Sequence, residues 1–365
     1  MNKQKTVVIG MSGGVDSSVS ALLLKKQGYK VIGAFMKNFS DSKNKLTGEC
    51  LWLQDKKDAQ KIAAILKIPL VTFDFEKEYK KQVIEPMFKA YAQGLTPNPD
   101  IQCNLIIKFP LFWKHAKKQL KADYIAMGHY AKIKKTSKGF ELFAGKDKNK
   151  DQSYFLYKLS QKDLSHTLFP IGNYTKEQIR AIAKKNHFSN YNKPGTKGIC
   201  FVGKVNMKSF LEKKIKQKPG KVLDAEGNII GKHPGISYYT IGQRIGPHIC
   251  IEITKPKGEE QLKWYIAKKI KPNTIIAAPE GHPILKKKFV IIKSLHLINP
   301  KEKIPQQLKA RIRHLGQFYP GKLTKKSNKY IFTFKSPVSS IAEGQSLVLH
   351  HKNQVIGGGE IFKVT

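Results

Sequence analysis

The chain has 365 residues, 40% of them hydrophobic, with 67 lysines and arginines against 26 aspartates and glutamates, a formal charge of +41 and a pI near 10.0. That length suffices for two or three domains with their own cores; no apolar run approaches the roughly 20 residues that span a bilayer, and only a few polar residues precede the first strand, so a cytosolic protein without leader or membrane anchor is expected. The cationic excess suggests a polyanionic partner through counterion release, discounted by a bias toward lysine that leaves only Arg180, Arg244, Arg311 and Arg313 as arginines.

Val7-Val8-Ile9 is a β-branched run that ends at Gly10; Met11, Ser12, Gly13, Gly14, Val15, Asp16, Ser17 and Ser18 follow, and 19–24 has helical apolar spacing. A strand, a tight glycine turn and a helix N-terminus in this order offer unpaired N–H groups and the positive end of a helix dipole, a place that suits a phosphate. The loop lacks the lysine of G-x-x-x-x-G-K-[ST], so it is not an ordinary nucleotide P-loop. Its plain structural alternative is a glycine turn capped by Asp16 or Ser17.

Gly28 reads as a helix C-cap and 31–36 as a second strand. A helix with Ala59, Ile62, Ala63 and Leu66 on one face leads to a strand at 70–73, then a helix over 79–94. A further helix over 104–120 is expected to kink or break at Pro110, before a strand at 124–126. This alternation predicts a parallel doubly wound α/β sheet over 1–206, with ligands beyond the carboxyl ends of its strands. Gly10, Met36 and Gly128 fall at such ends and are expected around one nucleotide, Met36 and Gly128 against adenine or ribose. From Met207 a short helix (207–215) gives way to β segments at 221–223, 229–230 and 236–240, a small middle domain over 207–273. Alternating segments at 289–292, 308–313, 330–334 and 346–349 predict an antiparallel sheet or small barrel over 274–365.

The four cysteines, Cys50, Cys103, Cys200 and Cys250, form no C-x-x-C pair and suggest neither a zinc site nor an iron–sulfur cluster. Two have distinctive surroundings. Pro97 and Pro99 fix an extended loop before Asp100, and Cys103 is read as opening a helix whose dipole favours its thiolate, with Asp100 near enough to exchange a proton with substrate. Gly198-Ile199-Cys200-Phe201-Val202-Gly203 sets Cys200 in backbone that can move. A mobile thiol can carry a group between two places.

Ser12-Gly13-Gly14-Val15-Asp16-Ser17 resembles the PP-loop of ATP pyrophosphatases, which split ATP to AMP and pyrophosphate. The wider pattern resembles the tRNA-specific 2-thiouridylases over nearly the whole chain: Gly33-Ala34-Phe35-Met36-Lys37-Asn38, Thr96-Pro97-Asn98-Pro99-Asp100, Cys103-Asn104, Gly128-His129-Tyr130, Asp151-Gln152-Ser153-Tyr154-Phe155-Leu156, Gly198-Ile199-Cys200-Phe201, Gly242-Gln243-Arg244 and Gly344-Gln345-Ser346. The resemblance implies ATP-dependent exchange of oxygen for sulfur at C2 of the wobble uridine of tRNA. It implies ATP and Mg²⁺ as cofactors, with Gly10, Met11, Ser12, Gly13, Gly14, Val15, Asp16, Ser17, Met36 and Gly128 at the nucleotide, Asp16 near the metal, and no fixed protein metal ligand. Cys200 would accept sulfur as a persulfide from a donor protein. Cys103 would then attack that persulfide and free sulfide, or itself attack the base, both routes ending in a transient Cys103–Cys200 disulfide, with Asp100 as general acid/base. Asn98, Pro99 and Asp100 would line the flipped uracil, and His129, Lys150, Asp151, Gln152, Arg313, His314 and Gln345 would contact the tRNA, the anticodon stem-loop being the part engaged.

Three features depart from the family pattern. Gly195-Thr196-Lys197 replaces an Asp-Ser/Thr pair before Gly-Ile-Cys, Pro110 interrupts the helix after Cys103, and the glycine-rich run after Gly242-Gln243-Arg244 is reduced to 245–250. Two other readings use the same loop. Another PP-loop adenylating enzyme would need no cysteine pair, and a basic RNA-binding protein with a vestigial nucleotide fold would not need Ser12, Asp16, Ser17, Asp100 and both thiols intact.

Overall fold

A computed structural model describes residues 4–40, 50–195, 198, 200–202, 206–255 and 257–364. Strands β1 (Thr6–Gly10), β2 (Lys30–Lys37), β3 (Leu70–Asp74) and β4 (Tyr124–Ala126) are followed by a hairpin, β5 (Ala131–Thr136) and β6 (Gly139–Ala144), and by β7 (Thr167–Leu168). The first sheet has the order β3-β2-β1-β4-β7 and is parallel throughout. Its central strand is buried from Val7 to Gly10, as a strand covered on both faces must be. The two faces divide by the period of two. Val7 and Ile9 pack with Val19, Leu22, Ile62 and Ile179 on one side. Val8 packs with Tyr79, Met87, Cys103 and Phe112 on the other.

Two helices depart from expectation in instructive ways. The one over 76–92 contains a π-helical stretch, Lys80–Ile84. The next begins at Pro99 rather than at Asn104, because Asn98 caps it (Asn98 Oδ1 accepts from Ile101 N at 3.2 Å) and proline suits the first helical position. Pro110 does not break it. The residues Asn104–Leu111 form a π-helix, which absorbs a proline that would obstruct an α-helical ladder, and α-helix resumes over Phe112–Leu120.

The middle sheet holds β8 (Gly220–Leu223), β9 (Ile229–His233), β10 (Glu252–Ile253), β11 (Trp264–Ile270) and β12 (Thr274–Pro279) in the order β10-β9-β8-β12-β11. Strand β12 thus lies beyond the boundary expected at Asn273, which is itself a turn residue. The segment expected as a strand at 236–240 is instead a 3₁₀ turn, Ile236–Tyr238, following Gly235 at φ +155°. Its Ile236, Tyr238 and Tyr239 are all buried, which alternation would not allow.

The last part contains β13 (Lys286–Ile292), β14 (His296–Leu297), β15 (Leu308–Arg311), β16 (Tyr319–Lys326), β17 (Lys329–Ser339), β18 (Ser346–His351) and β19 (Gln354–Val364). Antiparallel pairing in the order β13-β17-β16-β15-β18-β19 closes through β13 and β19 into a six-stranded barrel. Val290, Ile292, Leu308, Ala310, Phe332, Phe334, Leu347 and Leu349 fill its interior. The barrel is joined to the first part by sheet hydrogen bonding: Leu142 and Phe143 of β6 pair with Val355 and Gln354 of β19.

Candidate active site

The loop after β1 is shaped by backbone. Gly13 has φ +73°, and a Cβ there would lie 2.2 Å from the Asp55 carbonyl oxygen, so only glycine fits. Ser17 Oγ donates to Gly14 O at 3.0 Å and accepts from Ser12 N at 3.2 Å; Ser18 Oγ donates to the same carbonyl at 3.0 Å and Asn190 Nδ2 to Gly13 O at 3.0 Å. Carbonyls are therefore tied up from behind. Helix Val15–Lys26 follows Gly14 with no side-chain cap among the described residues; Gly14 N donates to Ser12 Oγ at 3.4 Å, the N–H groups after it remain for a ligand, and the turn capped by Asp16 or Ser17 is not what forms. Gly128 brings β4 against this helix, where a Cβ would lie 2.9 Å from Ser17 N. A Cβ on Gly10 would meet Met127 Sδ at 2.8 Å and Met36 Cε at 3.1 Å, so the ends of β1, β2 and β4 converge. Met11, Val15 and Met36 are themselves buried, leaving mainly backbone to face a nucleotide.

Asp16 is already engaged. Lys176 Nζ lies 2.7 and 2.8 Å from its two oxygens, and Tyr130 Oη donates to Oδ1 at 2.7 Å. Burial and the Asp16 charge push the Tyr130 hydroxyl far up, so it stays a donor.

The second locus is a thiol pocket. Cys103 is fully buried and Cys200 half-buried; both are free, and they lie near enough for each thiol to shift the other's ionisation. Cys200 N donates to Asp100 Oδ1 at 2.9 Å, and Tyr79 Oη donates to the Cys200 carbonyl. Lys108 places its ammonium 5.4 Å from the centre of the Phe201 ring, next to Cys200 in the chain. The expectation for Cys103 is reversed here. Because the helix starts at Pro99, Cys103 lies beyond its first turn, and burial pushes its thiol well above the ordinary range, the neighbouring Cys200 adding to this. Cys200 moves the other way: the hydrogen bond from Cys103 lowers it against burial, and Lys108 lowers it further. Asp100 is raised by burial, against the pull of Cys200 N–H, Lys108 and His314.

Sequence reasoning missed Lys108, although a lone cation within the apolar run 105–111 was a signal. Thr196, Lys197, Ile199 and Gly203, which flank Cys200, lie outside the described residues.

Of the residues expected at RNA, His129, His314 and Gln345 lie beside this pocket or the loop that leads to it, and several of the set are occupied by the protein itself. Asp151 is 2% exposed and forms a buried ion pair with Arg311 (Oδ2 to Nη1, 2.7 Å), while its Oδ1 accepts from Gly145 N and Ser153 N at 3.2 and 3.1 Å. Its carboxylate is thus fully engaged within the protein. His129 is buried against Phe109 and Phe169, and burial keeps its ring neutral. Gln345 Nε2 donates to Thr96 O at 3.0 Å and Pro97 O at 3.4 Å, so it holds the loop carrying Asn98 and Asp100. Gln152 Oε1 accepts from Tyr130 N at 3.1 Å. Arg313 Nη2 donates to Ser340 O at 2.8 Å and Ile241 O at 3.2 Å, and His314 stacks over Phe155 with ring centres 4.3 Å apart. Lys150 is exposed. A polar residue at a strand end looks the same in sequence whether RNA or another domain receives it. Among the described residues no group of three or more His, Cys, Asp or Glu is placed to hold a metal ion, and no helix is long and apolar enough to cross a membrane.

Three family descriptions match consecutive parts of the chain: a tRNA methyl transferase HUP domain over residues 5–204, a tRNA methyl transferase PRC-barrel domain over 208–279 and an aminomethyltransferase beta-barrel domain over 287–361. Among curated proteins, it is 42% identical to the tRNA-specific 2-thiouridylase MnmA of Blochmanniella floridana, over 98% of this chain and 97% of that one. It is 41% identical to the protein of that name from Coxiella burnetii (strain RSA 493 / Nine Mile phase I), covering 98% of each. MnmA 2 of Aliarcobacter butzleri is 40% identical over 99% of both chains. With this identity along its whole length, a glycine-built anion loop and a pair of apposed thiols, the chain belongs to the tRNA-specific 2-thiouridylase family.

Proposed function

We propose that the protein is a cytoplasmic, ATP-dependent tRNA sulfurtransferase that replaces O2 of the wobble uridine with sulfur. One observation carries the reading: the uncapped start of helix Val15–Lys26 and the thiol pocket pack against one sheet, Cys103 lying in the same core cluster as Met36 and Met127 at the strand ends. A uracil carbonyl is a poor electrophile. ATP therefore transfers AMP to O2 and releases pyrophosphate, whose developing charge the loop N–H groups and Ser12 and Ser17 receive. A magnesium ion needs hard oxygen ligands. Asp16, the carboxylate nearest the loop, already holds Lys176 and Tyr130, so in this arrangement it is not free to take a magnesium ion.

Cys200 as thiolate attacks the outer sulfur of a protein persulfide, becoming Cys200–S–SH while the donor leaves as a thiolate. Cys103, after losing its proton, attacks the inner sulfur, forming the Cys103–Cys200 disulfide and expelling hydrosulfide. Hydrosulfide adds to C2, AMP departs with the original oxygen, and a proton is released. An external dithiol then reduces the disulfide. Asp100, whose carboxyl burial raises above its ordinary range, stands where it can exchange a proton in the pocket. Asn98, the cap of this helix, and Pro99 set the loop against which the base would lie.

The test is mass spectrometry of nucleosides from unmodified tRNA incubated with the full chain, ATP, Mg²⁺ and a persulfide donor. The expected result is 2-thiouridine with one pyrophosphate per base. A methyl gain, as the family descriptions would suggest, or pyrophosphate release with another base altered, would overturn the sulfur reading.

A further inference from the structure

Lys108 is a cation in a place that burial alone would deny it. Five positions separate it from Cys103, and at 3.6 residues per turn that would set the two about 140° apart on an α-helix. The π-helical stretch Asn104–Leu111, with hydrogen bonds running to the fifth residue, returns Lys108 to the face that carries Cys103. Pro110, which a regular helix would not accept, lies in that same stretch. The unusual backbone thus has a chemical product: an ammonium 5.4 Å from the centre of the Phe201 ring, beside Cys200, whose anion it favours.

The pocket around it is closed by named groups. Asp100 and Cys103 face it from its own helix, Cys200 and Phe201 from the following segment, and Tyr79 from the helix over 76–92. His129, beyond β4, is kept neutral by burial and by Lys108 itself. His314 from the barrel side faces Asp100. Asp100 and the two thiols are thus the groups able to carry the negative charge that Lys108 needs. Asp100 is disfavoured as an anion by burial, and Cys103 more so. The charge falls on Cys200, which the Cys103 thiol and Lys108 both favour as the anion.

We propose that Lys108 is a further catalytic residue, the counter-ion that holds the Cys200 sulfur as a thiolate ready to take sulfur from a persulfide while Cys103 stays protonated. In that step the Cys200 thiolate attacks the outer sulfur, the donor's S–S bond breaks, a new S–S bond forms on Cys200, and the electron pair leaves on the donor thiolate. Lys108 gives up no proton; it keeps the nucleophile ionised. Cys103 is not spent until the second step. The assignment rests on the sulfur-transfer reading for its purpose, though not for its measurement.

The experiment follows iodoacetamide labelling of each cysteine by peptide mass spectrometry across pH, with the full chain and no tRNA. In the wild type, Cys200 should be labelled with a midpoint well below about 8.5, the ordinary thiol value, and Cys103 should lag far behind. Lys108→Met should raise the Cys200 midpoint and slow its labelling at pH 7 by about tenfold or more, and Lys108→Arg should largely restore it. A wild-type midpoint at the ordinary thiol value overturns the proposal without any variant, and so does a folded Lys108→Met or Lys108→Gln protein with an unchanged profile. Failure of tRNA thiolation with an intact shifted profile would discard the substrate and keep Lys108; thiolation with an unshifted profile would do the reverse.

Discussion

The phosphate loop and the thiol pocket sit on one sheet and are built on opposite principles. At the loop, glycines and serine hydroxyls arrange backbone N–H groups, and the one acidic side chain, Asp16, is neutralised by Lys176. At the pocket, side chains do the arranging: Asp100 and Cys103 are driven toward their protonated forms and Cys200 away from it, around a buried Lys108. The loop should therefore tolerate changes of pH and fail on addition of a single methyl group. The pocket should accept conservative changes of shape and fail on a change of charge or proton. Recognising pyrophosphate requires fixed donors, whereas moving sulfur requires groups that change ionisation at the right moment.

The largest expected effect separates the two regions outright. Cys200→Ser should reduce thiolation from a persulfide donor by more than about a thousandfold, while ATP binding measured by fluorescence stays within a factor of about two. Parallel loss of ATP binding would mean that the regions are not independent. A control on the shared scaffold comes next: Asp151→Asn should cost roughly 3–5 kcal/mol in urea unfolding, since it strands Arg311 as an uncompensated buried charge. Replacing both partners by apolar residues should recover much of that loss. Gly13→Ala breaks the comparison from the other side. Its strained φ and clash with Asp55 O should cost roughly 1–3 kcal/mol and raise the KM for ATP, leaving the pH profile of Cys200 labelling untouched. The smallest effect concerns pH and stability. Burial holds His350 down to about 3, with Arg311 lowering it further. Because its folded value is depressed, its contribution is present above about 6.5 and is lost as pH falls from there toward 3. Tm should decline over that window, and His350→Leu should flatten part of the decline; an unchanged slope would rule out His350 as a source of it.

Much of the arrangement was legible in the residues. The strand, glycine turn and helix at 7–24 are specified by β-branching, glycine and apolar spacing, and four strands of the first sheet lie where periodicity sets them, while the two-residue edge strand β7 is too short to show. Alternation in the last hundred residues likewise carried the barrel. What was not legible depended on contacts distant in sequence. Nothing near Asp151 announces that Arg311 arrives to pair with it, and Gln345 gives no local sign that it holds Thr96 and Pro97. Cys103 was misjudged because its environment is set by where the helix starts and by what covers it, and a one-turn change in the start moves it out of the dipole's reach. Lys108 depended on a π-helical stretch, which has no sequence signature beyond an oddly placed proline.

The ion pair between Asp151 and Arg311 spans 160 positions, and the pairing of β6 with β19 reaches almost to the end of the chain. At about 5–20 residues per second of ribosomal synthesis, Arg311 follows Asp151 by on the order of ten seconds. Through that interval the nascent first part carries a carboxylate awaiting its partner and a hairpin edge awaiting its strand. The nucleotide-binding end can gather its sheet early, but its final stability is withheld until the last residues are made. A chain that stopped short of β15 would leave the Asp151 carboxylate without Arg311 and the β6 edge without β19.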